Sequence, residues 1–346
     1  MPAAVKIENK TYNIPMRIVF FGSFQHYSAY ILESLINHPE IDVVGVITTP
    51  PMPVGRKQVI TKTPVHILAE SHAIPVFAPT SLNNESPSFS KPDLFITAGY
   101  GKILPASWLL YPTHGSLNLH FSLLPAYRGA NPAEWAIMCG ETKTGITLIE
   151  MSEKLDGGNI ISQKEIAIST TDTRESLYEK LYRLGASELP DMLTKYYIWK
   201  QKSQFDCQQS LAPTPQPPSP TPYAALLKRD DGFIPWSAIQ NLHPTINDLP
   251  SQHLQKAYMF AEFGILSAQS DPTKWERALQ NSNSKTIIQF LSRLPRALAG
   301  YPSLWTIVQT TKGEKRMKIL SFEPYIVVQI EGQQPSHFNQ IKNQLQ

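Results

Sequence analysis

Short β-branched and aromatic runs alternate with stretches of helical spacing through the first half of the chain, and that alternation leaves few architectures open. Residues 17–21 (RIVFF) form a continuous β-branched and aromatic run after Arg17, ending at Gly22, as expected of a buried parallel strand. Ala29, Leu32, Leu35 and Ile36 follow at helical spacing, and residues 42–47 (DVVGVI) supply a second strand, so the chain opens with a βαβ unit. The pattern continues with a helix over 65–71 and strands over 74–77, 93–98, 116–119, 146–150 and 160–168. Thr173 then opens a helix with Leu177, Leu181 and Leu184 on one face. A doubly wound, mostly parallel α/β sheet of Rossmann-like form is the predicted fold, with ligands received beyond the carboxyl ends of its strands. Gly22-Ser23-Phe24 stands where a dinucleotide site would carry G-x-G-x-x-G, which disfavours a nicotinamide enzyme.

The 346 residues are enough for two domains at roughly 100–200 residues each. Proline marks the boundary: the chain has 30 prolines against 17 glycines, and six fall between 213 and 222 (PTPQPPSPTP). Such a segment has too few amide donors for a sheet ladder and favours polyproline II, so it is expected to be a stiff linker. Beyond it, residues 240–292 are polar with scattered helical periodicity and no assignable role. Strand-like runs at 304–308, 316–320 and 326–330 suit a small β-barrel or sandwich. The expected division is an N-terminal extension (1–16), an α/β domain (17–205), the linker (206–222) and a C-terminal, OB-like barrel (223–346) with an insertion around 240–292.

Hydrophobic residues at 42% and charged residues at 17% exclude a disordered composition, and no apolar run approaches the roughly 18 residues of a membrane span. Cys139 and Cys207 allow at most one disulfide and resemble no zinc set, and the nine histidines show no ligand spacing, so no metal is expected. With no signal or transit pattern before residue 16, the cytoplasm is the expected location. Net charge is only +3, but 13 basic and 9 acidic residues lie from Cys207 onward, so the surplus sits in the tail.

The densest polar cluster is 116–129 (SLNLHFSLLPAYRG). Asn118 and His120 are two apart on one strand, so both side chains project to the same side. A second polar element, Leu155-Asp156-Gly157-Gly158, lies between two strands where paired glycines permit a sharp turn. A lone strand histidine is more often a packed core residue, and an Asp before Gly-Gly is usually a turn former. Together, an amide to meet an oxyanion, an imidazole to take a proton and a carboxylate to hold the imidazole suit acyl transfer to an amine.

That string, with RIVFFGS (17–23), PVGRKQVITKTPV (53–65), IPVFAPTSL (74–82), PDLFITAGYGKILP (92–105), LNLHFSLLPAYRGANP (117–132), GETKTGITLIEM (140–151) and LDGGNI (155–160), resembles the folate-dependent formyltransferases. The similarity runs from Arg17 to about residue 200. It implies that Asn118, His120 and Asp156 are the catalytic trio and that the formyl donor is 10-formyltetrahydrofolate. It further implies that Ser122, Leu123, Leu124 and Pro125 line the folate site, and that Gly99, Tyr100, Gly101, Ile103 and Leu104 wall the pterin pocket.

The same string is shared by family members with different acceptors. The loop at 48–63 (TTPPMPVGRKQVITKT) carries Arg56, Lys57 and Lys62 without an acidic residue, and by resemblance to the branch that formylates methionyl initiator tRNA it meets tRNA phosphates. Arg128 and, on a C-terminal hairpin, Lys315, Arg316 and Lys318 are further tRNA candidates. The expected protein is therefore a monomeric enzyme, away from any membrane, that formylates the α-amine of methionyl initiator tRNA. A nucleotide-amino-sugar N-formyltransferase and a catalytically silent tRNA- or folate-binding protein are the alternatives.

Overall fold

The computed structural model describes residues 15–55, 57–83, 85, 87, 89–202, 212–241, 251–263, 284–322 and 325–345. The expected extension up to residue 14, Arg56, Cys207 with the first part of the linker, and residues 242–250 and 264–283 of the insertion lie outside the described residues. The chain forms two compact units: Met1–Asn118 with Ala186–Ala212, and Leu119–Gly185 with Pro213–Gln346. These follow contacts within the fold and do not coincide with the boundaries expected at 205 and 223.

In the first unit, strands β1 (Met16–Phe21), β2 (Ile41–Ile47), β5 (Val76–Phe77) and β6 (Leu94–Thr97) and residues 116–118 of β7 (Ser116–His120) pair in parallel in the order β5-β2-β1-β6-β7. The sheet is the parallel α/β arrangement that the alternating sequence implies. Strand β1 is apolar apart from Arg17 and is flanked on both edges by β2 and β6, with every residue but Arg17 buried. Phe21 meets Phe95 at 4.9 Å between ring centroids, and Phe95 meets the buried Trp108 at 6.1 Å, giving the unit an aromatic core.

Helix α1 (Tyr27–Ile36) follows β1, and helix α2 (Pro64–Ser71) begins where Thr63 accepts the amide of His66 and Pro64 takes the first helical position. Between β2 and α2 the loop at 48–63 is ordered as an antiparallel hairpin, β3 (Met52–Val54) with β4 (Val59–Thr61), which the sequence reading treats as an irregular loop.

In the second unit, β8 (Lys143–Glu150) pairs antiparallel with β9 (Ile160–Ala167), and helix α4 (Pro132–Met138) is buried along its whole length. The short helix α3 (Ala106–Leu109) belongs to the first unit, and helix α5 (Arg174–Lys202) starts in the second. The C-terminal part contributes α6 (Trp236–Asn241), α7 (Gln252–Phe263), α8 (Ser284–Ala297) and α9 (Phe338–Ile341). It also holds an antiparallel sheet of β10 (Leu304–Thr310), β11 (Gly313–Ser321), β12 (Val327–Ile330) and β13 (Ser336–His337) in sequential order. In place of the expected barrel this sheet is open among the described residues. Two of its four strands are only two and four residues long, which leaves too little ladder to close on itself.

Of residues 240–292, which have no role in the sequence reading, 252–263 form α7 and 284–292 begin α8. Helix α8 presents Phe290, Leu291, Leu294 and Ala297 as one buried stripe, and both α7 and α8 pack on α4. Beneath α4 lies a buried polar knot. Glu134 accepts from Arg174 Nε at 2.7 Å, Tyr178 Oη at 2.7 Å and Asn131 Nδ2 at 2.9 Å, while Asn131 Oδ1 accepts the amide of Leu227 at 2.7 Å.

Candidate active site

Strand β7 ends with Asn118 and His120 two residues apart, and the boundary between the compact units falls between them. Each has its own support. In the first unit Thr97 Oγ1 donates to Asn118 Oδ1 at 2.6 Å from the adjacent position of β6, which sets the orientation of the amide.

In the second unit His120 is buried. Its Nε2–H donates to the carbonyl of Tyr127 at 3.0 Å, because a carbonyl can only accept, and Nδ1 faces Asp156 Oδ1 at 3.6 Å. The Asp156 side chain is 8% exposed, and its other oxygen accepts the amide N–H of Gly129 at 2.9 Å. Asp156 itself sits at φ 49°, in the left-handed region. A Cβ on Gly158 would collide with the carbonyl of Glu150, so the second glycine of the Asp-Gly-Gly turn is required by close backbone approach.

The Ser-Leu-Leu-Pro turn is fastened from behind. Ser122 Oγ donates to the carbonyl of Ala126 at 2.6 Å, and Thr147 Oγ1 donates to the carbonyl of Ser122 at 2.6 Å while accepting the amide of Leu124 at 3.1 Å. Gln163 Nε2 adds a bond to the carbonyl of Leu124 at 2.8 Å. Ser122 and Leu124 are thereby buried, whereas Leu123 and Pro125 are half-buried. The pterin-wall candidates divide in a similar way. Gly99 and Gly101 take positive φ, and Leu104 and Tyr100 are buried. Ile103 is 80% exposed. Burial pushes the Tyr100 hydroxyl up to about 12, and that hydroxyl has no hydrogen-bond partner among the described residues.

The tRNA candidates are scattered. Lys57 is exposed at the tip of the β3–β4 hairpin, which also exposes Met52, Val54, Val59 and Ile60. Lys62 is paired with Glu70 at 2.6 Å. Arg128 donates to Gln216 Oε1 from Nε at 3.0 Å and Nη2 at 2.7 Å, and to the carbonyl of Pro217 at 3.1 Å. On β11, alternation puts Arg316 and Lys318 on the face of Trp305, with the Arg316 guanidinium 4.1 Å from that ring's centroid; Lys315 falls on the face of the buried Met317.

Sequence reasoning missed the groups that orient the cluster: Thr97, the Tyr127 carbonyl, the Gly129 amide and Gln216. Backbone groups carry no sequence signal, and Gln216 stands inside what reads as a linker. Residues 213–222 do not stand away as a spacer: Thr214 exchanges two 2.8 Å backbone bonds with Ile160, and Thr221 Oγ1 accepts the amide of Tyr127 at 2.6 Å. Burial pushes the Cys139 thiol up to about 12, so it is protonated at neutral pH and is no thiolate nucleophile. Among the described residues no group of three or more His, Cys, Asp or Glu is placed to hold a metal, and no helix is long and apolar enough to cross a membrane.

Residues 16–193 match the family model described as formyl transferase. The chain is 39% identical over 225 residues to the methionyl-tRNA formyltransferase of Listeria monocytogenes serovar 1/2a, covering 64% of this chain and 68% of the relative. It is 35% identical over 303 residues to the methionyl-tRNA formyltransferase of Staphylococcus epidermidis, covering 86% of each. Among solved structures it is similar to phosphoribosylglycinamide formyltransferase from Bacillus halodurans, with 25% identity and a TM-score of 0.44 over 55% of this chain and 100% of the other.

Proposed function

The chain belongs to the formyl transferase family, and on that premise we propose that it moves the formyl group of 10-formyltetrahydrofolate onto the α-amino group of methionyl initiator tRNA. The observation that carries the chemistry is the buried His120–Asp156 pair, held by backbone groups in a loop that offers no free nucleophile of its own. Ser122 Oγ is bonded to the carbonyl of Ala126, so a covalent serine intermediate has no support. The substrate amine attacks directly. Its nitrogen bonds to the formyl carbon, the bond from that carbon to the donor nitrogen breaks, and the proton released by the amine passes to His120, which hands it on to the departing donor nitrogen. Asp156 holds the ring and stabilises the cation that forms, and the Asn118 amide donates to the developing oxyanion.

In the second unit the half-buried apolar edges of Leu123 and Pro125 suit a flat folate ring. In the first unit the exposed Ile103 and the Tyr100 hydroxyl, which has no hydrogen-bond partner among the described residues, are the pterin-wall candidates. In this reading residues 17–205 carry out transfer and 223–346 hold tRNA. Lys57, Arg316 and Lys318 are the phosphate contacts best supported by their placement, with Arg56, Lys62, Lys315 and Arg128 as secondary candidates. A monomer in the cytoplasm goes with it.

The test is a formyl-transfer assay that offers charged initiator tRNA, an amino-sugar nucleotide and water as acceptors. Formyl-methionyl-tRNA is the expected product, and His120→Ala is expected to slow its formation by about 10²–10⁴. A formylated sugar nucleotide, or an unchanged rate for His120→Ala, overturns the assignment.

A further inference from the structure

One carboxamide in the proline-rich segment reaches both turns that build the His120–Asp156 pair. Gln216 Nε2 donates to the carbonyls of Asp156 at 2.9 Å and Gly158 at 2.6 Å, and Gln216 Oε1 accepts from Arg128 Nε at 3.0 Å and Nη2 at 2.7 Å. Both amide hydrogens and both lone pairs of the oxygen are thereby used. Its approach is fixed by the strap around it. Thr214 is bonded to Ile160, Ala224 gives its amide to the carbonyl of Arg128 at 2.7 Å, and the prolines between hold φ near one value.

The two turns are those that matter to the pair. Turn 127–129 gives the Tyr127 carbonyl to His120 and the Gly129 amide to Asp156, and turn 156–158 carries Asp156 itself at φ 49°. Aspartate tolerates the left-handed region at a modest conformational cost, which these bonds offset. We propose that Gln216 is a positioning residue for formyl transfer, tying the Arg128 turn to the Asp156-Gly157-Gly158 turn so that the carboxylate stays aimed at His120. The segment that carries it is accordingly part of the catalytic framework. This inference rests on the catalytic reading of Asp156.

The experiment measures kcat and both KM values on the full-length enzyme for Gln216→Ala, Gln216→Glu, Asp156→Ala and the Gln216→Ala/Asp156→Ala double variant. Gln216→Glu keeps the acceptor for Arg128 and loses the donors to the two carbonyls, and it serves also where Gln216→Ala fails to fold. Each Gln216 variant is expected to lower kcat by about 10- to 100-fold, the loss that misplacement by about 1 Å brings. Both KM values are expected to stay within about two-fold. In the Asp156→Ala background the Gln216 substitution is expected to cause a much smaller further loss, because the carboxylate it positions is gone. A full-rate Gln216→Glu, a rise in KM with unchanged kcat, or an undiminished loss in the Asp156→Ala background overturns the inference. Asp156→Ala at the wild-type rate overturns the catalytic reading beneath it as well, whereas a slowed Asp156→Ala beside a full-rate Gln216→Glu overturns the inference alone.

Discussion

Gly129 gives its amide N–H to Asp156 Oδ2 at 2.9 Å, and it does so from a φ of 127° with the carbonyl of Ala224 packed where a Cβ would stand. One glycine thus combines three requirements: a conformation closed to other residues, an amide aimed at the carboxylate, and room for the strap to lie against the turn.

Gly129→Ala is expected to lose both stability and activity. Its Cβ would overlap the Ala224 carbonyl, and strain of about 1–3 kcal/mol is the usual consequence of a side chain forced into such a region. Thermal unfolding should show a melting point lower by several degrees, and formyl transfer should slow in the protein that remains folded. An unchanged melting point would mean that the turn relaxes freely.

Arg174→Met should be among the more damaging substitutions away from the pair itself. It leaves Glu134, which is 1% exposed, without the guanidinium that meets it at 2.7 Å, and breaking one side of a buried pair typically costs about 3–5 kcal/mol. Adding Glu134→Gln should recover part of the loss, since an amide can still bond Tyr178 and Asn131 without a buried charge. Urea denaturation of the two single variants and the double variant measures this.

Asp172 should contribute acid-sensitive stability. Burial pulls its carboxyl up, but bonds from Lys180, the Ser169 amide and Ser176 outweigh that and hold it below the usual aspartate range. A carboxylate depressed in the folded state contributes stability that is fully present above its unfolded value of about 3.9 and is lost as pH falls through the folded value. Melting curves from pH 6 downward, with pH 6 chosen as roughly two units above that value, should show wild type losing more stability than Asp172→Asn as pH drops below about 4. Parallel curves for the two proteins would remove Asp172 from the acid transition.

Lys57→Ala and Lys318→Ala should each weaken tRNA binding and leave the folate KM unchanged. Removing one lysine that neutralises a phosphate should reduce the slope of log K against log salt by about 1. A binding titration at several salt concentrations reads this directly, and an unaltered slope excludes that lysine from the phosphate-binding set.

Much of the candidate site is legible because its chemistry resides in side chains of unusual type at short spacing. Asn118 and His120 share a strand whose period puts both on one side, and the expected parallel sheet follows from runs such as 18–21 that are apolar without alternation. The C-terminal strands were visible from the same kind of pattern, but barrel closure was not, since it depends on strand length and pairing that no local run encodes. The β3–β4 hairpin was missed because its apolar residues face outward, so no burial pattern marks them.

By itself, the sequence determined the alternation of strands and helices in the α/β part, the family and the identity of the candidate trio, because these rest on local periodicity and on residue chemistry. Only the tertiary structure decided which groups hold that trio in place. Gln216 lies 60 residues from Asp156 in the chain and 88 from Arg128, yet bonds to both. The same proline content that marks residues 213–222 as a linker by composition makes them a rigid strap once packed. A segment of fixed φ with little entropy left to lose can follow the surface of its own unit and deliver one amide to a set position.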